Sequence, residues 1–576
     1  MSGLSSPFEP ARLLGGICEV APGIVKVTAP AAASHGGKSL FGQTLGTGQV
    51  GEFVVIQVGL SGVLGRVTRV GLAEKERLSV EPSLARPDSL HPVALVQLLA
   101  TLDLEKLVLV RGIATYPSLG DKVFSASPNL LKWVAGDATG SDANDAVSLD
   151  LGWVARQQSV RVHATPERLF GRHCAILGTT GGGKSYSLAR LVEQAAEHCC
   201  KVIVIDAVGE YRFDATHTMR LALGRVDKAR EGKDVTLVTM PSRFLTIPDL
   251  FALFQPSGKV QGPMLRRAIN SQKLRALDAD QDLAGFVDGR GVVIKTGNER
   301  ALFEKAQAKH ATALQTPHAA FDVFALGEQI IAECIWDTDR NKSLFGGDNG
   351  NSTYCTPLVN RIDGIIHARE LACVFMPGDH PPLADKLDEF FSAEDAHRIL
   401  HLSLRDLAFD FNAREVVANA IARWLLRKAR DDFFRSHNKP VIVFLDEAHH
   451  FLDKSMGDED SKVQLDAFEL IAKEGRKYWL TLCLATQQPR DIPAGVLSQM
   501  GTLIVHRLIN DRDREVVERA CGEIDRSAAA FLPTLGPGEA ALIGVDFSIP
   551  LTVQMDKPTS PPKSHGPNFQ SAWAEE

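Results

Sequence analysis

The residues best suited to chemistry form a glycine-rich run from Gly178 to Ser185, which matches the pattern G-x-x-x-x-G-K-[ST]. Glycines let a backbone curl around phosphate oxygens and point successive N–H groups at them. We expect Lys184 to reach the β- and γ-phosphates of a nucleotide, and the Ser185 hydroxyl to bind Mg²⁺. The residues predicted to surround the phosphates are Gly178, Thr179, Thr180, Gly181, Gly182, Gly183, Lys184, Ser185 and Tyr186.

The segments on either side of this run fit the same chemistry. Residues 173–177 have the composition of a short buried strand, and residues 186–196 have the composition of a helix. A helix that starts at such a loop turns its N-terminus towards the phosphates. The sequence therefore predicts a nucleotide-binding turn between a strand and a helix.

A second chemical pattern is the apolar run 441–445 followed by Asp446 and Glu447. A carboxylate at the end of a buried strand can hold Mg²⁺, and the next carboxylate can polarise the water that attacks the γ-phosphate. We predict that Asp446 is a metal ligand and that Glu447 is the general base. The alternative is a parallel strand that merely ends in acidic residues. We expect the following His449 and His450 to be structural or coupling residues.

Three further residues are candidates for contacts with the nucleotide. The apolar run 480–485 predicts a strand that would place the amide of Gln487 beside the γ-phosphate as a sensor, or that simply ends in a turn. Arg476 could stabilise the transition state, including that of a neighbouring subunit, or could be the cationic end of a solvated helix. Arg172 is a second candidate for this task and for binding the nucleotide.

Asp206 and Glu210 follow the apolar strand-like run 201–205. Either carboxylate could contact Mg²⁺, water or a neighbouring side chain at the nucleotide. Asp206 could instead cap a helix. The residues alone leave both interpretations open.

The composition is that of an ordinary globular protein. The chain has 576 residues, of which 44% are hydrophobic and 23% charged, enough for several domains. The net charge of −7 argues against a broadly basic surface, yet it allows nucleic acid in a local basic channel. The nine cysteines show no metal-ligand spacing. We see neither a signal peptide nor an apolar run near the ~20 residues of a membrane span, and expect a soluble cytoplasmic protein.

Changes in residue pattern predict the domains. Residues 1–160 contain short apolar runs between glycine-rich turns, which are typical of a small barrel. Strands alternate with helices over 161–240 and 431–556, which predicts an α/β core. Residues 241–430 predict a largely helical insertion with some core strands, and 557–576 a flexible tail.

These motifs together resemble those of the HerA-like ATPases of the HerA/FtsK group, and the N-terminal module resembles the HAS barrel of that family. The resemblance implies the α/β fold class: a RecA-like P-loop ATPase core with an N-terminal HAS-barrel-like domain and a helical insertion. It covers nearly the whole chain. The matching pieces are the run from Arg172 to Ser185, Asp206 to Tyr211, Asp446 to Phe451, Glu474 to Tyr478, Ala485 to Pro489, Gly538-Glu539-Ala540 and Ile543-Gly544.

The resemblance also implies a function. It implies a homohexameric ring that hydrolyses ATP with Mg²⁺ and translocates double-stranded DNA as a helicase-type motor. It implies a partner protein: an NurA-type nuclease in archaeal end resection, or a nuclease or sirtuin-like effector in bacterial antiviral defence. By position, Lys184 and Ser185 would bind nucleotide and Mg²⁺, Glu447 would be the base, Gln487 the sensor and Arg476 the trans-acting arginine.

Two other functions stay open at this point. The chain could be an ATPase scaffold that assembles and activates an effector, with DNA movement secondary, or a motor that acts on protein substrates. The basic clusters at 266–267 and 423–430 could line a DNA pore, or could be the solvated faces of helices.

Overall fold

The computed structural model falls into two compact units, Met1–His198 with Ala485–Pro561, and Cys199–Leu484 with Pro562–Glu576. The residues that it describes are 7–33, 39–40, 43–72, 92–139, 147–155, 157–224, 234–278, 282–316, 321–339, 343–376, 378–392, 397–407, 410–452, 454–460, 462–521, 526–563, 569 and 573.

The first unit begins with a closed β-barrel. Neighbouring strands pair in the order β2-β1-β9-β5-β6-β7, and antiparallel pairing of β2 with β7 closes the ring. Alternate residues of a strand face the same side, and buried side chains such as Val54, Ile56 and Val63 form the barrel's core. The predicted N-terminal barrel is thus confirmed. Its strands and those beside it are β1 (Leu13–Ala21), β2 (Ile24–Thr28), β3 (Ser39–Leu40), β4 (Gln43–Thr44), β5 (Phe53–Val58), β6 (Ser61–Leu72), β7 (Pro92–Asp103), β8 (Val108–Arg111) and β9 (Lys122–Ser125).

The same unit continues into the segment that carries the glycine-rich loop. Strand β12 is buried at every position, which suits a parallel strand covered on both faces. The elements here are α1 (Pro128–Thr139), β10 (Leu149–Val154), β11 (Arg161–Ala164), α2 (Pro166–Phe170), β12 (Cys174–Leu177) and α3 (Lys184–Ala196).

The second unit contains a parallel sheet with the strand order β20-β17-β13-β16-β14-β15. Every residue of β13 and β17 is buried, so both strands lie in the core. The last two residues of β20 belong to the first unit. The strands are β13 (Lys201–Asp206), β14 (Thr218–Gly224), β15 (Thr236–Leu237), β16 (Ile399–Asp406), β17 (Val441–Leu445), β18 (Lys454–Met456), β19 (Val463–Leu465) and β20 (Leu480–Thr486).

Helices dominate the described residues between β15 and β16. A capping box of Thr246 and Asp249 starts the first of them. The helices of the second unit are α4 (Ile247–Phe254), α5 (Gly258–Leu277), α6 (Arg300–Lys309), α7 (Ala311–Leu314), α8 (Leu326–Ala332), α9 (Ser352–Ile366), α10 (Ala372–Phe375), α11 (Leu383–Ser392), α12 (Ala413–Arg430), α13 (Phe433–Ser436) and α14 (Ala467–Glu474).

The last part of the chain returns to the first unit and completes its sheet. Strand β21 lies parallel to β12, β22 and β23 follow antiparallel, and the order is β11-β10-β23-β22-β21-β12. The predicted α/β class is confirmed. The elements are α15 (Ala494–Leu497), β21 (Thr502–Val505), α16 (Asp511–Cys521), α17 (Arg526–Phe531), β22 (Glu539–Gly544) and β23 (Leu551–Met555).

The predicted flexible tail is described only in part. The N–H groups of Thr559 and Ser560 each donate to the Glu193 carboxylate at 2.8 Å. Residues 564–568, 570–572 and 574–576 of the tail lie outside the described residues, so flexibility there stays a prediction. Among the helices that the structure describes, none combines the length and the apolar character needed to cross a membrane.

Candidate nucleotide-binding site

The glycine-rich loop forms the turn between β12 and α3. Gly181 and Gly183 adopt left-handed backbone angles, with φ of 76° and 113°, and the helix begins at Lys184. No atom lies within 4 Å of the position that a Cβ of Gly181 would take, so the loop is open there. The N–H groups of a helix's first turn have no intrahelical acceptor and carry partial positive charge. The loop therefore fits a phosphate group.

The closed side of the loop packs against two later segments of the same unit. A Cβ at Gly178 would lie 2.6 Å from the Cβ of His506, and one at Gly183 would lie 3.1 Å from the Cα of Gly538. The N–H of Gly538 donates to the carbonyl of Gly182 at 3.2 Å. Close packing thus favours glycine at both positions, and the backbone angle favours it at Gly183 as well.

Hydrogen bonds hold the first part of the loop in place. Thr179 donates to the carbonyl of Arg507 from its N–H at 3.1 Å and from its hydroxyl at 3.0 Å. The Thr180 hydroxyl donates to the side-chain oxygen of Gln487, and Gly178 donates to the carbonyl of Thr486 at 3.3 Å. The structure therefore brings Gln487 against the phosphate-binding loop.

The first turn of α3 carries the other residues that the sequence assigns to the nucleotide. The Lys184 side chain is buried, and Ser185 and Tyr186 are half-buried. All three belong to the turn whose N–H groups start the helix. The structure thus keeps the lysine and the serine hydroxyl directly beside the loop.

Arg172 lies elsewhere in this unit. It precedes β12, whereas the loop follows β12, so a strand of four residues, about 13 Å at 3.3 Å per residue, separates them. The Arg172 Nε lies 3.4 Å from a carboxylate oxygen of Asp546. The structure does not bring Arg172 to the phosphate-binding loop.

In the second unit, Asp446 follows β17 and is 1% exposed. One carboxylate oxygen accepts the N–H of Glu447 at 2.9 Å, and the other accepts the hydroxyl of Tyr211 at 3.0 Å. Two fixed donors therefore set the orientation of the predicted metal ligand.

Glu447 occupies a strained backbone conformation. Its φ is 48°, a region that residues with a Cβ rarely adopt and that clusters at functional sites. The residue is 8% exposed, and its Oε2 lies 3.4 Å from Nδ1 of His449. The turn thus holds the predicted general base next to a titratable neighbour.

Asp206 organises its own turn. It accepts the N–H groups of Gly209 at 2.6 Å and Tyr211 at 3.1 Å, and Nε2 of His401 lies 2.9 Å away. Burial opposes its ionisation, but the His401 and backbone hydrogen bonds keep the pKa of Asp206 below its ordinary value. No helix follows directly in this described segment, so the carboxylate holds a turn rather than a helix.

The two remaining sequence candidates of this unit lie nearer the surface. Glu210 is half-buried, and its carbonyl accepts the N–H of Lys563 at 2.8 Å. Arg476 lies in a short 3₁₀ helix, Gly475–Tyr478, and its side chain is exposed. An exposed arginine is free to reach a neighbouring molecule.

The basic clusters are largely paired with carboxylates. Arg267 lies 2.9 Å from Asp337, Lys428 lies 2.8 Å from Asp388 and Arg430 lies 2.8 Å from Glu474. Arg423 pairs with the buried Asp249. These partners offset the charges, which favours surface and structural roles over the lining of a pore.

Sequence reasoning gave no role to three buried side chains, His506, His401 and Tyr211. The available signal was a lone histidine in or at the end of an apolar strand, as at 399–402 and 502–506. Tyr211 ends the segment Asp206 to Tyr211 that resembles the family, but nothing in the local sequence shows that its hydroxyl reaches Asp446.

The chemistry of the available donors suits Mg²⁺. This ion prefers oxygen ligands, and it usually binds one or two carboxylates together with substrate phosphates. The Ser185 hydroxyl in the first unit and the Asp446 carboxylate in the second unit are each an oxygen donor of this kind. Within the described ranges, no group of three or more histidine, cysteine, aspartate or glutamate residues could hold a metal alone.

Comparison with known proteins gives a consistent family. The family described as "Helicase HerA, central domain" matches residues 149–312, and "Helicase HerA-like C-terminal" matches residues 433–565. A probable helicase of Methanocaldococcus jannaschii is 24% identical over 88% of this chain and 86% of its own length. The DNA double-strand break repair helicase HerA of Pyrococcus furiosus is 24% identical over 76% of this chain and 73% of its own.

Solved structures were compared as well. VirB4 of Thermoanaerobacter pseudethanolicus aligns with a TM-score of 0.39 and 15% identity, over 72% of this chain and 98% of its own. The two family matches together span more than half of the 576 residues. The chain therefore belongs to the HerA-like ATPases and is an ATP-hydrolysing enzyme.

Proposed function

We propose that this enzyme is a ring-forming motor, a homohexamer, that uses ATP hydrolysis to translocate double-stranded DNA. The observation that carries the proposal is the extent of the family similarity, which includes both the glycine-rich loop and the Asp446–Glu447 pair. Among the relatives, the Pyrococcus furiosus protein is described as a DNA double-strand break repair helicase. That description concerns that protein, and its transfer to this chain is the proposal.

The proposed roles follow from the chemistry of each residue. The backbone of the loop and the Lys184 ammonium would bind the nucleotide phosphates, and Gln487, held by Thr180, would sense the γ-phosphate. Ser185 and Asp446 would hold Mg²⁺, which when bound offsets negative charge on the phosphates. Glu447 would take the proton of the attacking water. Arg476 is exposed and would stabilise the transition state from a neighbouring subunit.

The proposal includes a partner protein, either a nuclease or another effector such as a sirtuin-like enzyme. Support for it comes only from the family resemblance. Cytoplasmic location and a role in antiviral defence stay predictions from the sequence. Co-purification with the products of neighbouring genes is the direct search for the partner.

The decisive experiment measures ATP hydrolysis with and without double-stranded DNA, for the parent and for Lys184→Ala. We expect DNA to stimulate ATP hydrolysis by the parent. The Lys184→Ala variant should hydrolyse little ATP either with or without DNA. The stimulation should weaken as salt rises, because contacts with DNA phosphates release counterions. Hydrolysis that is indifferent to DNA at low salt would contradict the DNA motor.

The second candidate is an ATPase scaffold that activates an effector. It is favoured by the net charge of −7 and by the separate closed barrel, which could carry a partner. A Glu447→Gln protein should bind ATP but hydrolyse it poorly. If this variant still supports the partner's activity, the scaffold is favoured; if that activity is lost, the motor is favoured.

A further inference from the structure

We propose that His506 is a positioning residue that sets the shape of the phosphate-binding loop and links it to the turn before β22. This inference rests on the proposed nucleotide binding at that loop, and it adds a residue for which the motif has no position. His506 follows β21 directly and is fully buried.

Both ring nitrogens of His506 are engaged. Nδ1 lies 2.9 Å from the carbonyl oxygen of Glu539, and Nε2 lies 2.8 Å from the hydroxyl of Ser187. A carbonyl can only accept, so Nδ1 carries the proton and donates it to Glu539. Nε2 then accepts from Ser187. The two bonds tie the start of β22 to helix α3, which begins at the loop.

The ring also supports the loop sterically. An added Cβ at Gly178 or Gly182 would lie 2.6 Å or 3.4 Å from the His506 Cβ, and one at Gly183 would lie 3.2 Å from its Cε1. Three glycines of the motif therefore pack against the His506 side chain, and Gly178 and Gly183 lie near atoms of its ring. The opposite flank of Gly183 packs against Gly538, the residue before Glu539. The loop thus lies between the His506 ring and Gly538, and the next residue, Glu539, accepts the hydrogen bond from that ring.

The charge state suits this role. Burial, with a smaller contribution from the Lys184 ammonium, lowers the pKa of His506 to about 4. The ring is therefore neutral at physiological pH, and it adds no second cation beneath the phosphates. A neutral ring also keeps one donor and one acceptor, the combination that Glu539 and Ser187 require.

A buried histidine could instead simply fill the core, and a matched control separates the two roles. Thr502 lies on β21, is 1% exposed, and its hydroxyl donates to the Arg168 carbonyl at 2.6 Å. Thr502→Val removes one buried hydrogen bond from the same strand away from the loop. If a general loss of stability were enough to weaken nucleotide binding, Thr502→Val would weaken it as well.

The experiment measures the affinity of the full chain for a fluorescent ADP, with melting temperature recorded in parallel. His506→Phe fills the space and removes both bonds. His506→Asn keeps a donor near Nδ1, His506→Gln keeps an acceptor near Nε2, and Ser187→Ala removes the other partner. ADP binding requires no hydrolysis, so the readout does not depend on the general base.

We expect His506→Phe, which loses two hydrogen bonds, to weaken ADP binding by about tenfold or more. Ser187→Ala loses one of them and should weaken ADP binding by about threefold. In a His506→Asn background, Ser187→Ala should have no further effect, because the bond is already absent. Thr502→Val should change ADP affinity less than about twofold at a similar loss of stability.

The inference is overturned if folded His506→Phe binds ADP like the parent, or if Thr502→Val loses as much affinity. If His506→Phe does not fold, Ser187→Ala alone decides, and unchanged ADP affinity there rejects the positioning role. A parent that binds no ADP would instead defeat the proposed nucleotide site, a failure visible before any variant is compared.

Discussion

The two units hold their chemical groups by different means. In the first unit, the loop is built from glycine backbone wrapped over a neutral imidazole, and its hydrogen bonds run largely to carbonyl groups. In the second unit, the turns carry carboxylates, and side chains such as Tyr211 and His401 fix them. Binding an anion with backbone dipoles demands a shape, whereas holding a metal demands oriented charge. Substitutions in the two regions should therefore impair different properties of the enzyme.

The largest contrast should appear between Lys184→Ala and Glu447→Gln. We expect Lys184→Ala to weaken ATP binding, because a cation at the phosphates is lost. Glu447→Gln should lower kcat by about 10²-fold or more with near-normal ATP affinity, because only the proton acceptor is lost. Equilibrium binding of ATP and steady-state hydrolysis measure the two effects. Equal loss of ATP affinity in both variants would erase the proposed division of roles.

A pH test distinguishes the buried His506 of the first unit from the buried Asp206 of the second. The pKa of His506 falls from its ordinary 6.5 to about 4 in the folded chain, mainly through burial. Between these values the unfolded chain binds a proton that the folded chain does not. Stability is therefore full above pH 6.5 and decreases as the pH falls to 4, by about 3 kcal/mol at 1.36 kcal/mol per unit.

Denaturant unfolding across this pH range checks the estimate, with His506→Gln as the control that lacks the titrating group. The slope for the parent should exceed that of the control. Asp206 behaves differently, because its pKa is lowered from 3.8 and its contribution is lost only as the pH falls below that value. Parallel curves for parent and control between pH 4 and 6.5 would contradict the neutral, buried state of His506.

A smaller effect is expected for Tyr211→Phe. Its hydroxyl donates to a carboxylate oxygen of Asp446, so its loss removes one restraint on the orientation of that carboxylate. We expect about a fivefold rise in the Mg²⁺ concentration needed for half-maximal hydrolysis, as for one hydrogen bond of about 1 kcal/mol. Metal-free ADP affinity should not change.

The matched control for that experiment is Tyr354→Phe. Tyr354 is 66% exposed, and its hydrogen bonds with Gln261 and Asn351 are made by its backbone. It should leave the Mg²⁺ requirement unchanged. An identical shift in both variants would mean that the Tyr211 hydroxyl does not position Asp446.

The smallest effect is expected for Arg172→Ala. Its guanidinium contacts Asp546 at the end of β12 away from the loop. ATP affinity should change by less than about twofold, and stability by about 0.2–1 kcal/mol, as is usual for an exposed ion pair. Calorimetric ATP titration and thermal unfolding measure the two quantities. A large loss of ATP affinity would instead show that Arg172 contributes to nucleotide binding.

Several features follow from local sequence because their physical causes are local. The run Gly178–Ser185 predicts a phosphate loop because glycine spacing, a preceding apolar strand and a following helix are visible in the chain itself. The apolar strand before Asp446 and the alternating runs of the N-terminal barrel follow for the same reason.

Tertiary structure decided which distant side chains support these motifs. His506 lies more than 300 residues after the loop, and only the packing of β21 beside β12 puts its ring under Gly178. Tyr211 reaches Asp446 because β13 and β17 are parallel neighbours in one sheet. Arg172 is adjacent to the motif in sequence, yet a strand separates it from the loop. Sequence fixes residue types and local backbone preference, whereas contact across a sheet depends on strand order, which no local pattern encodes.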